Sequence, residues 1–237
     1  MFAAVLALAV MTAITAQAAL VGYWNFNEGS GITAADFSSH GNHGTLTGTN
    51  TPPAWVAGHT GTPGDYALHI NAGSEYPRVE VPHHSSLELT GPFTLAVWLY
   101  DTGSTAYSRM FMKGAHYGLH KNSGDNFAYY SSSVAQPRME PIDGWVGAWH
   151  HYAVTYDGTT MRQYYDGVLN ATSVGPAVGV KNTLPLLIGA DNSRTDRGFI
   201  GYLDDVVIFD SVEDVEQIMN GTHPAMRHPS GTLIQLR

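Results

Sequence analysis

The chain has 237 residues, of which 43% are hydrophobic and only 13% charged, about half the usual share of roughly 25%. Its formal net charge of −9 argues against nucleic acid or an anionic membrane surface as a partner, because both need a basic face. Cys is absent, which excludes structural disulfides, Cys-based zinc sites and Cys nucleophiles. Abundant Gly and Tyr, 26 and 13 residues, suit a turn-rich β protein rather than a helical bundle.

Residues 1–18 read as a signal peptide: an apolar run, Met1 to Met11, leads to a small-residue cleavage pattern at Ala16-Gln17-Ala18. A membrane anchor is the rival reading, although the stretch is short for one. From Leu20 onward the pattern has period two. Leu20–Phe26, Tyr66–Ile70, Arg78–Val81, Phe93–Tyr100, Trp149–Tyr156, Met161–Tyr165, Leu184–Ile188 and Leu203–Phe209 all alternate. In several of these runs both faces are largely apolar, so one face is expected in a core while the other presents aromatics. Asp166-Gly167 is a hairpin signal. Ser211-Val212-Glu213-Asp214 reads as a capping box with Ser211 as the cap, opening one short helix that Gly221 ends. Many short strands separated by turns predict an all-β, two-sheet antiparallel sandwich with one short C-terminal helix. No linker or repeat divides it: residues 19–221 form one expected domain and residues 222–237 a tail, within which Leu233–Leu236 forms an expected edge strand.

Six segments in order resemble the laminin-G-like, concanavalin A-type jelly rolls. They are Tyr23-Trp24-Asn25-Phe26-Asn27-Glu28-Gly29-Ser30-Gly31, the loop Asp36–Leu46, Phe93-Thr94-Leu95-Ala96-Val97-Trp98, Trp149–Gly158, Tyr164-Tyr165-Asp166-Gly167 and Gly201–Phe209. Ser39 departs from the family's preferred Gly, and a positive φ there would strain it.

The loop Asp36–Gly44 concentrates short oxygen-bearing side chains among glycines, a composition suited to calcium. The resemblance implies a structural calcium between this loop and the last strand, with Asp36, Asn42 and Asp204 as ligands and Asp205 as a further candidate. By alternation Asp204 shares a face with Val206 and Ile208, at the rim of the core. The plainer reading is that Asp36 and Asn42 hold turns and Asp204 accepts backbone amides. Sugars stack on aromatic rings, and Tyr129, Tyr130, Tyr152, Tyr164 and Arg162 are spaced for such a platform. No catalytic residue is assigned, because the paired-carboxylate spacings used by glycosidases of this fold, E-x-D-x-E and E-x-D-x-x-E, do not occur. Gln136, Arg138, His116, His120 and Tyr117 share one central stretch but lack the motifs of jelly-roll lyases. The expectation is thus a secreted, extracellular, periplasmic or cell-surface lectin-like module. It binds a polysaccharide or glycan, with a surface protein as the other partner class, and it touches neither nucleic acid nor, after signal removal, membrane. A protein-adhesion domain and a polysaccharide-degrading hydrolase or lyase are the alternatives.

Overall fold

A computed structural model describes residues 19–71, 76–123, 126–132 and 139–227. The signal-peptide segment, Gln136, Arg138 and the expected strand at Leu233–Leu236 lie outside the described residues. The chain opens with β1 (Leu20–Trp24), β2 (Thr33–Ala34), β3 (Gly44–Thr47), β4 (Ala54–Ala57) and β5 (Tyr66–Asn71). It continues with β6 (Arg78–Val81), β7 (Phe93–Asp101), β8 (Arg109–Met112), β9 (Gly118–Lys121) and β10 (Phe127–Tyr130). The last third holds β11 (Trp149–Tyr156), β12 (Thr160–Tyr165), β13 (Val168–Val174), β14 (Leu186–Ile188), β15 (Ile200–Phe209) and a helix, α1 (Val215–Met219). Every period-two run of the sequence contains a strand, although Leu184, Pro185, Asn25 and Phe26 lie outside theirs. No helix among the described residues is long and apolar enough to cross a membrane.

Two antiparallel sheets result. The first runs β13-β12-β11-β7-β15-β5-β4, with β1 also paired to β15; the second runs β10-β9-β8-β14-β6-β3-β2. Between them lies an apolar layer that includes Trp24, Phe26, Phe93, Phe111, Phe127, Tyr129, Tyr152 and Phe199. The outer side of the first sheet buries a smaller cluster in which Leu20, Tyr23, Ala96, Ala153, Val207 and Phe209 meet Val215 and Ile218 of α1 and Met226. This second layer explains why both faces of β7, β11 and β15 are apolar.

Local signals largely act as expected. Asp166 and Gly167 have φ of 47° and 76°, the paired left-handed conformation of a two-residue hairpin turn. Gly221 ends α1 at φ 62°. The helix cap differs from expectation: Asp214, not Ser211, accepts from the amides of Glu216 and Gln217, while the Ser211 hydroxyl donates to Glu213. Asp214 directly precedes the first helical turn and so reaches its amides, which Ser211 is too far upstream to do. Ser39 is not left-handed; Gly41 takes that role at φ 66°, so Ser39 carries no strain.

The main departure is a bulge in β15. Asp204 pairs with Trp98, yet Val207 pairs with Ala96, so three steps along β15 match two along β7. The extra residue is Asp205, at φ 44°. Simple alternation puts Asp204 with Val206 and Ile208; the bulge reverses this. Leu203, Val206 and Ile208 line the inter-sheet core, and Asp204 turns outward beside Trp98.

Close approach of β15 to β7 depends on Gly201, where a Cβ would lie 2.0 Å from the carbonyl oxygen of Tyr100. Gly201→Ala is expected to lower unfolding free energy by about 3 kcal/mol, measured by urea denaturation.

Candidate functional site

A second bulge lies in the second sheet. Arg109 pairs with His120, but Phe111 pairs with Leu119, so β8 carries one extra residue. Met110 and Phe111 both enter the core, and Arg109 is thereby aimed at the outer face with His120 of β9 and Tyr130 of β10. Arg109 is 1% exposed. Nε donates to Asp191 Oδ2 at 2.9 Å, the guanidinium bonds His120 Nδ1, and it lies 4.8 Å from the Tyr130 ring centroid.

Asp191 follows β14 and anchors the next loop. Its Oδ1 accepts from the amide and hydroxyl of Ser193, both at 2.8 Å. Burial by itself would raise its pKa; the Ser193 amide, Arg109 and the Ser193 hydroxyl outweigh that and hold the carboxyl below its ordinary value. Arg197 approaches the same carboxylate at 3.7 Å and lies 5.4 Å from the ring of Tyr107, whose backbone is left-handed at φ 69°. A cleft of about 190 Å³ opens here, walled by Tyr130, Leu184, Asp191, Asn192, Ser193 and Arg197, with Met112 contributing an apolar patch. Asn192 is fixed in place, accepting from the Gly114 amide at 2.8 Å and donating to the Pro185 carbonyl at 3.1 Å. A few anchored polar groups beside an aromatic ring are the elements of a small-molecule site. The volume is below the roughly 300–1,000 Å³ of drug-sized pockets, which suits one sugar ring.

The five residues expected to form a sugar platform do not come together, and Tyr152 is buried in the core with its hydroxyl donating to Gln163. Tyr130 alone lines this cleft. Tyr129 is buried in the core, stacked on Phe93 at 5.5 Å, with its hydroxyl donating to the Ala177 carbonyl. Tyr164 and Arg162 sit on the first sheet, beside Glu213, Asp214 and Glu216 at the start of α1. Arg162 is paired with Asp157 at 2.8 Å. Arg109, Asp191 and Arg197 were not anticipated. Of their neighbours, the sequence singles out Tyr130, for the sugar platform, and His120, within the central His/Arg/Tyr stretch.

The expected calcium ligands also separate into two places. Asp36 accepts from the amides of Tyr23, Ser38 and Asn42 and from the Ser38 hydroxyl, at 2.6 to 2.9 Å. Both its oxygens are thus taken by donors, and the Asn42 side-chain amide donates to Val21 and Ser86. That loop does not fit a cation. Asp204 instead meets His59, accepting from its amide at 3.0 Å and lying 2.9 Å from Nδ1. The His59 ring stacks on Trp98 at 4.5 Å. One ligand atom each of His59, Asp65 and Asp204 lie within 4.8 Å of one another, a set with the composition of a metal site. Half-buried Tyr100, Trp149 and Tyr202 continue the aromatic face away from Trp98.

Negative charge is crowded here. Burial, then the neighbouring Asp204 charge, push Asp205 up to about 7, while the Tyr23 hydroxyl donates to it at 2.8 Å. Burial would lower His59, but its bond to Asp204 and the charges of Asp204, Asp205 and Asp65 raise it. Burial, then the charge of His59, push His151 down to about 3, so it stays neutral.

The profile of the concanavalin A-like lectin/glucanases superfamily matches residues 72–219, and the chain belongs to that family. No curated protein matches it in sequence. Among solved structures, the binding domain of Paraclostridial Mosquitocidal Protein 1 is similar with a TM-score of 0.66 and 14% identity, over 86% of this chain and 52% of that one. Domain 4 of AbnA, an extracellular GH43 arabinanase from Geobacillus stearothermophilus, solved with arabinotriose, has a TM-score of 0.62 and 19% identity, over 87% of this chain and 99% of that domain. A Trypanosoma rangeli sialidase has a TM-score of 0.58 and 14% identity, over 86% of this chain and 32% of the enzyme. The chain therefore spans about half of the toxin binding domain and a third of the sialidase. At these identities the likeness is one of fold.

The raised carboxyl fixes the sign of one pH effect. Asp205 holds its proton more tightly folded than unfolded, so its penalty is absent below about pH 4 and grows until about pH 7. His59 acts in the same sense, its contribution being lost as pH rises through its raised folded pKa. In chelator, Asp205→Asn should therefore gain stability relative to the parent as pH rises from 4 to 7, by on the order of 3 kcal/mol in urea titrations.

Proposed function

We propose that this domain is a secreted, non-catalytic carbohydrate-binding module whose ligand enters the cleft beside Tyr130. The observation that carries this reading is the cleft itself. A half-buried ring, Tyr130, stands beside fixed hydrogen-bonding groups of Asn192 and Ser193, in a volume suited to one sugar residue. Rings of this kind take the C–H face of a sugar, and the polar groups orient its hydroxyls. The fold family and the arabinotriose-bound neighbour support the ligand class. The apolar leader pattern of residues 1–18 supports secretion. The test is a glycan array followed by titration calorimetry on the positive sugar. Saturable binding is expected, with Tyr130→Ala weakening it at least about tenfold while the melting temperature stays near that of the parent. A uniformly blank array would overturn the reading in favour of protein adhesion, and release of reducing ends or unsaturated products would overturn its non-catalytic part.

A second reading concerns a structural divalent cation, for which calcium is the ion implied by the family resemblance. Of the expected ligands only Asp204 retains the role, now with His59 and Asp65, and the excess of carboxylates over cationic groups around it supports a bound cation. The His59 nitrogen also admits a borderline ion such as zinc, whereas calcium favours oxygen. Adding calcium or zinc to EDTA-treated protein should raise its melting temperature by several degrees, and Asp204→Asn should abolish the rise. A melting curve indifferent to both ions would overturn the reading.

A further inference from the structure

We propose that the cleft beside Tyr130 selects an acidic sugar, with Arg197 meeting the carboxylate of a uronic acid residue. This rests on the carbohydrate reading above and goes beyond it by naming the ligand's charge.

The argument is a local charge count. Arg109 and Asp191 neutralise one another, buried, at 2.9 Å. Arg194 and Asp196 pair at 2.6 Å on the surface, each more than half exposed. Arg197 is left over. Its nearest carboxylate is Asp191 at 3.7 Å, which already serves Arg109 and Ser193. Its side chain is 26% exposed and forms part of the cleft wall. Three guanidiniums thus face two carboxylates, leaving a positive wall on a chain whose formal net charge is −9.

A surplus cation at the wall of a small cleft is a recognition group for an anion. The guanidinium presents two parallel N–H donors, which match the two oxygens of a carboxylate. The Tyr107 ring, 5.4 Å from the Arg197 guanidinium, supports the group on its face. The contrast is the cleft on the other sheet that holds Tyr164 and Arg162. There Glu213, Asp214 and Glu216 contribute three carboxylates, and Arg162 is spent on Asp157. An acidic ligand would be repelled from that wall and drawn to this one.

The same anionic chemistry also occurs in sulfate esters, so the test separates the two. The full chain is titrated calorimetrically with oligogalacturonate, a neutral galacto-oligosaccharide of equal length and a sulfated galacto-oligosaccharide. Oligogalacturonate should bind about tenfold or more tightly than the neutral sugar, and the preference should shrink as salt is raised. Arg197→Gln should remove the preference, and Arg197→Lys should keep part of it. Equal affinity for acidic and neutral sugars, or a preference that survives Arg197→Gln, overturns the charge assignment but leaves carbohydrate binding standing. Tighter binding of the sulfated sugar overturns the choice of carboxylate. Failure to bind any of the three, together with a blank array, overturns the underlying reading as well.

Discussion

An arginine with 1% exposure is tolerable only with a carboxylate in contact, and the Arg109–Asp191 pair supplies one across the second sheet. The pair joins β8 to the segment after β14. It thereby fixes the loop that carries Asn192, Ser193 and Arg197, and it seats the Tyr130 ring over Arg109. Removing either partner would strand a buried charge and release that loop. The candidate binding cleft is in this sense a by-product of satisfying one charge.

Much of the fold was legible because burial imposes a period of two. The eight alternating runs all contain strands, the Asp166-Gly167 turn is where its residue types require, and the doubly apolar runs are strands covered on both sides. The site was far less legible. Period two breaks wherever an extra residue enters a strand, and both candidate sites sit at such breaks. In β15 the bulge at Asp205 turns Asp204 from the core rim to the outer face. In β8 the bulge at Met110 and Phe111 turns Arg109 outward. A left-handed aspartate leaves no reliable mark in composition, because Asp is equally at home in ordinary turns and caps with negative φ.

Tyr129 and Tyr130 show how fine the distinction is. Adjacent residues of one strand point to opposite faces, so one is a core ring and the other lines the cleft. Choosing between them requires the register of β10 against β9, and nothing within four residues of sequence supplies it. The Asp36 loop shows how one composition serves two ends. Its oxygen-rich composition suits a metal, but the same oxygens are equally suited to capturing the amides of their own turn, and four donors do so.

The pairing of β1 with β15 joins Leu20 to Phe209. The first strand of the sandwich therefore has its hydrogen-bonding partner almost at the far end of the described chain. Contacts of such separation are closed late and at a high entropic cost, which slows folding. Until β15 is available, β7 also lacks one of its two neighbours, and β5 one of its own. A ribosome-bound or partly threaded chain must therefore carry Phe93–Asp101, apolar on both faces, without its partner strand. Such a chain is open to aggregation during that interval and is an apt client for holding chaperones.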